Sequence, residues 1–249
     1  MSEDLDDLLD DLSASLPEGD RVYVDDEPTF WISDDPAPTG LWAELRELHT
    51  STGLWPVLVS EDEPWWTRVA VPEDPRYIDQ HDPTEFMAEV WRKWVDQANG
   101  NVDLLAPFGE HCPGLTASGS KARDPEAVAD WHASMIEPEN PFLALVPVDR
   151  GADAITAMGW EGAHGHAETV PLSAMIRTWE ERFGARLVRV GRNSLTLSIA
   201  GPPVVEEHAL HVAAEHWAFC PDNLERGAGA LIDYGKQIQE QITWTFTWH

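Results

Sequence analysis

Apolar positions along the chain switch between a helical and a strand period, and the switches outline the elements. Leu5, Leu8, Leu9, Leu12 and Leu16 fall on one helix face, and Glu3, Asp4, Asp6, Asp7, Asp10 and Asp11 fill the rest. Acids suit a helix N-terminus, but their mutual repulsion further along weakens it. A helix this short rarely persists alone, so the leucine stripe is expected to dock on its own protein rather than on a partner. RVYV (21–24) and TFWI (29–32) read as short strands within a Pro-, Asp- and Gly-rich stretch. LWAELRELHT (41–50) reads as a helix stopped by Gly53. LWPVLVS (54–60) reads as a strand, and Pro56 assigns it to an edge or a bulge, since proline brings no N–H to a ladder. Asp82–Pro83 and Asp124–Pro125 each pair an N-cap with a first-turn proline. The first opens a helix with the stripe Phe86, Met87, Val90, Trp91, Trp94 and Val95; the second opens a shorter one through Trp131.

From Pro141 the pattern sharpens. FLALVPV is a buried strand, GADAITAMGW a helix ending at Gly159, and Leu172, Met175, Ile176, Trp179 and Phe183 a helix stripe before Gly184. ARLVRV and SLTLSI read as a hairpin turning through Gly191, Arg192 and Asn193. A long helix over 204–219 and another over about 230–241 precede TWTFTWH, where Trp244, Phe246 and Trp248 alternate with threonines. That alternation predicts a final strand, expected inside the sheet. The order β-α-α-β-β-α-α-β defines an α+β fold: a mixed or mainly antiparallel sheet with helices packed on it, expected on one face. We divide the chain into an acidic N-terminal segment (1–20), an N-terminal α+β region (21–138) and a C-terminal α+β domain (139–249).

The C-terminal half resembles a bacterial family known only as domain of unknown function 4253. ALVPVDRGADAITAMGW (144–160), WEERFGARLV (179–188), the run from Pro202 through EEHALHVAAEHWAFCPDN to Asn223, and the ending TWTFTW carry the resemblance. TGLWPVLV (52–59) and CPGL (112–115) extend it to roughly residues 40–249, with the acidic segment 1–20 outside. The resemblance implies a soluble bacterial protein and no particular activity. Residues 164–166 read HGH, a loop richer in histidine than the family pattern, so metal ideas there borrow nothing from it.

Charge then narrows the partners. Sixteen Lys and Arg face 45 Asp and Glu, for a net charge of −29 over 249 residues. Residues 1–135 hold 8 basic and 30 acidic residues, or −22; the remainder hold 8 and 15, or −7. Nucleic acid and anionic membrane both demand basic surface, so neither is an expected partner; a basic protein is. With 43% hydrophobic residues and 13 Trp, the chain can bury a core despite this charge. Two cysteines, Cys112 and Cys220, make no disulfide framework, and the N-terminus lacks the pattern of a signal peptide. We read a cytoplasmic protein.

Candidate chemistry concentrates on one helix: His208, His211, Glu215, His216 and Cys220. On a helical wheel Ala209, Leu210, Ala213, Ala214 and Trp217 form the core face. His208, His211 and Glu215 then face solvent, and His216 and Cys220 sit at the flank. A single zinc ion cannot gather ligands that diverge this way, and HEXXH is absent, so neither metal nor cofactor is expected. Cys220 falls at the helix C-terminus, where the dipole opposes a thiolate. Acid runs such as Glu61–Glu63 lack the ligand spacing of a calcium loop. Trp160, His216, Cys220 and Asp222 remain as a candidate pocket. The expected function is a non-enzymatic, protein-binding module, immunity-like in neutralising a basic partner. The alternative is an enzyme with its pocket near His216, Cys220 and Asp222.

Overall fold

A computed structural model describes residues 5–10, 12, 15–60, 64–98, 102–120, 123–163 and 165–249. The acid run at 61–63 and His164 lie outside them. α1 (Leu5–Asp10) buries Leu5 and pairs Asp6 with Arg21, and Leu8, Leu9, Leu12 and Leu16 pack on the core. β1 (Gly19–Val24) and β2 (Glu27–Ser33) form a hairpin whose turn residues, Asp25 and Asp26, have φ of 51° and 68°. Two left-handed residues match the twist of paired strands, and aspartate tolerates that region better than most side chains.

α2 (Leu41–Thr52) stops where Gly53, at φ 67°, donates its N–H to His49 O at 2.7 Å. α3 (Pro83–Gln97) and α4 (Pro125–Ile136) open on the two Asp–Pro pairs, with Asp82 accepting from Thr84 N and Asp124 from Glu126 N. α4 continues past Trp131 because Ala129, Ala133 and Ile136 keep burying one stripe. β4 (Phe142–Pro147), α5 (Ala154–Ala157), α6 (Thr169–Phe183), β5 (Ala185–Val190), β6 (Ser194–Ile199), α7 (Glu206–Phe219), α8 (Leu231–Ile238) and β7 (Thr243–Thr247) follow in the order read from the sequence. β3 (Leu54–Val59) completes a seven-stranded sheet ordered β1-β2-β4-β3-β5-β6-β7. Every neighbouring pair is antiparallel except β3 and β5, so the fold is α+β. β4 lies between β2 and β3, and β3 joins β4 to β5.

Three expectations change. Pro56 sits in a central strand, not at an edge. It pairs with Leu145 of β4, while the ladder to β5 starts only at Leu58. In the gap between β3 and β5, indole donors replace ladder bonds: Trp42 Nε1 donates to Pro56 O and Trp55 Nε1 to Leu187 O, both at 3.0 Å. Proline's missing N–H therefore breaks no ladder bond. The final strand β7 is an edge strand, because alternation reports which face is buried and not how many neighbours a strand has. The sheet is also covered on both faces. Trp244 and Phe246 pack under α6 and α7, against Trp179 and Phe219. On the other face Arg186 pairs with Glu126 of α4, and Thr243 with His132 of α4.

Candidate functional site

α7 buries two of its polar residues, Glu215 and His216. Glu215 is fully buried, contrary to its expected solvent position. Its Oε1 accepts from Thr116 N and Arg182 Nη1, and its Oε2 from Trp179 Nε1 and Arg182 Nη2, at 2.7–2.8 Å. His211 stacks edge-on against Phe108 at 4.9 Å, and His208 reaches Ala117 O at 2.9 Å. Residues 108–117 and α3 thus cover the side of α7 that a single apolar stripe leaves open.

His216 and Cys220 are also core residues rather than flank residues. The imidazole packs against Trp244 at 4.3 Å and Phe246 at 4.9 Å between ring centroids, and its Nδ1 meets Tyr234 Oη at 3.2 Å. Burial, helped by the Arg182 charge, pushes its pKa down to about 3, so the ring is neutral at pH 7. Burial pushes the Cys220 thiol up to about 12, and the Tyr234 hydroxyl likewise. Asn223 ties these groups to the sheet edge. Its Nδ2 donates to Tyr234 Oη (3.2 Å) and Thr245 O (2.6 Å), and its Oδ1 accepts from Thr247 N (3.0 Å). The CPDN run reads as a helix stop, so Asn223 gave no sign of this role in the sequence.

A cavity of about 440 Å³ opens between β7 and α8. Of the four residues singled out from the sequence, Asp222 lines it, pairing with Arg226 and accepting from His249 N at 2.7 Å. His216 and Cys220 lie behind its wall. Trp160 does not line the cavity; it donates its Nε1 to Gly191 O at 2.8 Å and packs on Trp248.

A larger concavity, about 1250 Å³, lies at the opposite end of the sheet. It runs between the β1–β2 turn, residues 71–79 and the loop after β4. Asp25, Glu27, Glu73, Asp74, Asp79, Asp149 and Asp153 line it beside Arg76, Arg150 and Arg177. Each guanidinium is already engaged. Arg177 grips Asp153 at 2.6 and 2.8 Å and reaches Asp79; Arg150 binds Glu180 and Glu181. Arg76 holds Asp74 and lowers its carboxyl to about 2 through their hydrogen bonds. Asp25, Glu27, Glu73 and Asp149 are exposed and have no ion-pair partner among the described residues. Val71, 65% exposed, adds an apolar rim. An adjoining cavity of about 350 Å³ shares Asp149 and Arg150 and reaches Glu180, whose carboxyl is pushed up by burial. The sequence placed most of the negative charge before residue 136; only the folded chain shows which acids converge.

Among the described residues no group of three or more His, Cys, Asp and Glu is placed to hold a metal ion, and no helix is long and apolar enough to cross a membrane. Residues 142–249 match the model of a family described as a domain of unknown function (DUF4253). The match begins at β4, so the similar wording at 52–59 and 112–115 lies outside it. No curated protein and no solved structure matches the chain.

Proposed function

We propose that this protein is a non-enzymatic binding module that takes a basic protein partner along its acidic groove, in the manner of an immunity protein. The observation that carries the reading is the set of four exposed carboxylates, Asp25, Glu27, Glu73 and Asp149, without an ion-pair partner among the described residues, in one concavity with an apolar rim. Such a groove attracts Lys and Arg side chains, repels phosphate, and speeds encounter with a cationic protein. A cytoplasmic setting belongs to the same reading, supported by two free thiols. The enzyme alternative draws little support from His216 and Cys220. A neutral, enclosed imidazole and a thiol raised to about 12 offer no activated nucleophile to a solute in the neighbouring cavity.

The test compares two triple charge reversals of this protein in binding to a partner recovered at low salt from the native host. Glu27→Lys, Glu73→Lys and Asp149→Lys together should slow association and flatten its salt dependence. Glu206→Lys, Glu207→Lys and Glu240→Lys, equally exposed but far from the groove, should do so much less. Equal effects from both triples would mean that the charge serves solubility alone. A turnover activity abolished by His216→Ala would favour the enzyme.

A further inference from the structure

We propose that the outer edge of β7 is a second recognition surface, which takes a short extended polypeptide segment of a partner protein in parallel register beside α8. It lies at the opposite edge of the sheet from the acidic groove and goes beyond the function proposed above.

Backbone direction along β7 fixes which groups face outward. Ile242 O accepts from Ile199 N, and Thr245 O and Thr247 N bond to Asn223, so the odd-numbered residues turn their N–H and C=O away from β6. Asn223 shows what this edge accepts. Its side-chain amide donates to Thr245 O and accepts from Thr247 N, as one residue of a parallel strand would. One step earlier, Thr243 O and Thr245 N form the same pair of groups. Neither group has a hydrogen-bond partner among the described residues. They border the 440 Å³ cavity, with Gln237 and Ile238 of α8 across it. β7, TWTFT, has no Pro, Lys or inward charge to protect its edge, and Asn223 covers only the groups at Thr245 O and Thr247 N.

The occupant follows from charge and pairing. Asp222 and Arg226 balance one another in the cavity, so an uncharged segment suits it. A second copy fits poorly. Two-fold related β7 edges must pair antiparallel, which needs both groups of each bonded residue, and Thr245 O is taken. Two chains of net charge −29 would also repel. A partner protein has an apolar anchor close by. The α4 turn whose His132 bonds Thr243 also presents Trp131 and Met135, 50% and 58% exposed.

The probe is an acetylated, amidated hexapeptide of alternating Thr and Val, titrated into isotope-labelled full-length protein. Saturable shifts should centre on the Thr243 and Thr245 amides and persist at high salt. Thr245→Pro removes an outward N–H without breaking a bond to β6, and should weaken binding about tenfold. Asn223→Ala uncovers the next pair of groups and should strengthen it. Methylating the central amide nitrogens of the peptide should abolish binding to the unaltered protein, whether or not the proline variant folds. Absence of saturable shifts, shifts centred on the acidic groove, or equal binding of the methylated peptide would each overturn the proposal.

Discussion

Glu215 shows how one residue can anchor three segments. Its carboxylate joins α7 to Arg182 and Trp179 of α6 and to the backbone at Thr116. Glu215→Ala would leave the Arg182 charge, an indole N–H and a backbone N–H without their shared acceptor. Removing one partner of a buried ion pair costs about 3–5 kcal/mol, and a urea midpoint lowered with unchanged slope should report it. His216 makes a pH prediction. Its folded pKa of about 3 lies below the ordinary 6.5, so between those values the unfolded chain binds the extra proton. The stability present above pH 6.5 is therefore lost as pH falls towards 3, at up to about 1.4 kcal/mol per pH unit. His132 and His166, also lowered chiefly by burial, act in the same direction. The contribution of His216 is thus the difference from His216→Phe, which should show a flatter acid limb; parallel limbs would contradict the buried neutral ring.

Among the elements, β7 combines an open edge with a buried face. Trp244, Phe246 and Trp248 are at most 5% exposed and pack with Trp179, Phe219 and His216. Losing even one such ring costs about 3–5 kcal/mol. Deleting residues 243–249 should leave a molten or insoluble protein, and cooperative melting at an unchanged temperature would refute that. The alternation made the buried face of β7 legible, as the Asp–Pro pairs did for the starts of α3 and α4. Its edge position was not legible, because the rings contact α6 and α7 while the ladder contacts only β6. For Pro56 the sequence rule assumed a ladder on both sides of β3. The splay of β3 from β5, bridged by Trp42 and Trp55, removes the conflict.

At the scale of the whole molecule, the family match and the sheet do not share a boundary. Residues 142–249 contain β4 through β7, yet β4 meets β5 only through β3. Expressed alone, this fragment would expose the facing edges of β4 and β5 and the β4 side chains that β3 covers. It should lack a cooperative transition and sharp near-ultraviolet dichroism, and recover both when co-expressed with residues 1–141. A fragment that melts cooperatively by itself would show that β4 and β5 can close without β3.

The sequence by itself determined the kinds and limits of most elements, the α+β class and the acidic bias. Periodicity, N-caps and stop glycines act within a few residues, and net charge is a sum over the chain. Tertiary structure alone decided the strand order, the burial of Glu215, His216 and Cys220, and the placing of Asp222 but not Trp160 in the wall of the cavity beside β7. It also gathered Asp25, Glu27, Glu73 and Asp149 into one groove from three segments. These outcomes depend on which surfaces distant segments cover. The wheel of α7 shows one apolar stripe, but it carries no record that α3, α8 and residues 108–117 close over its remaining sides.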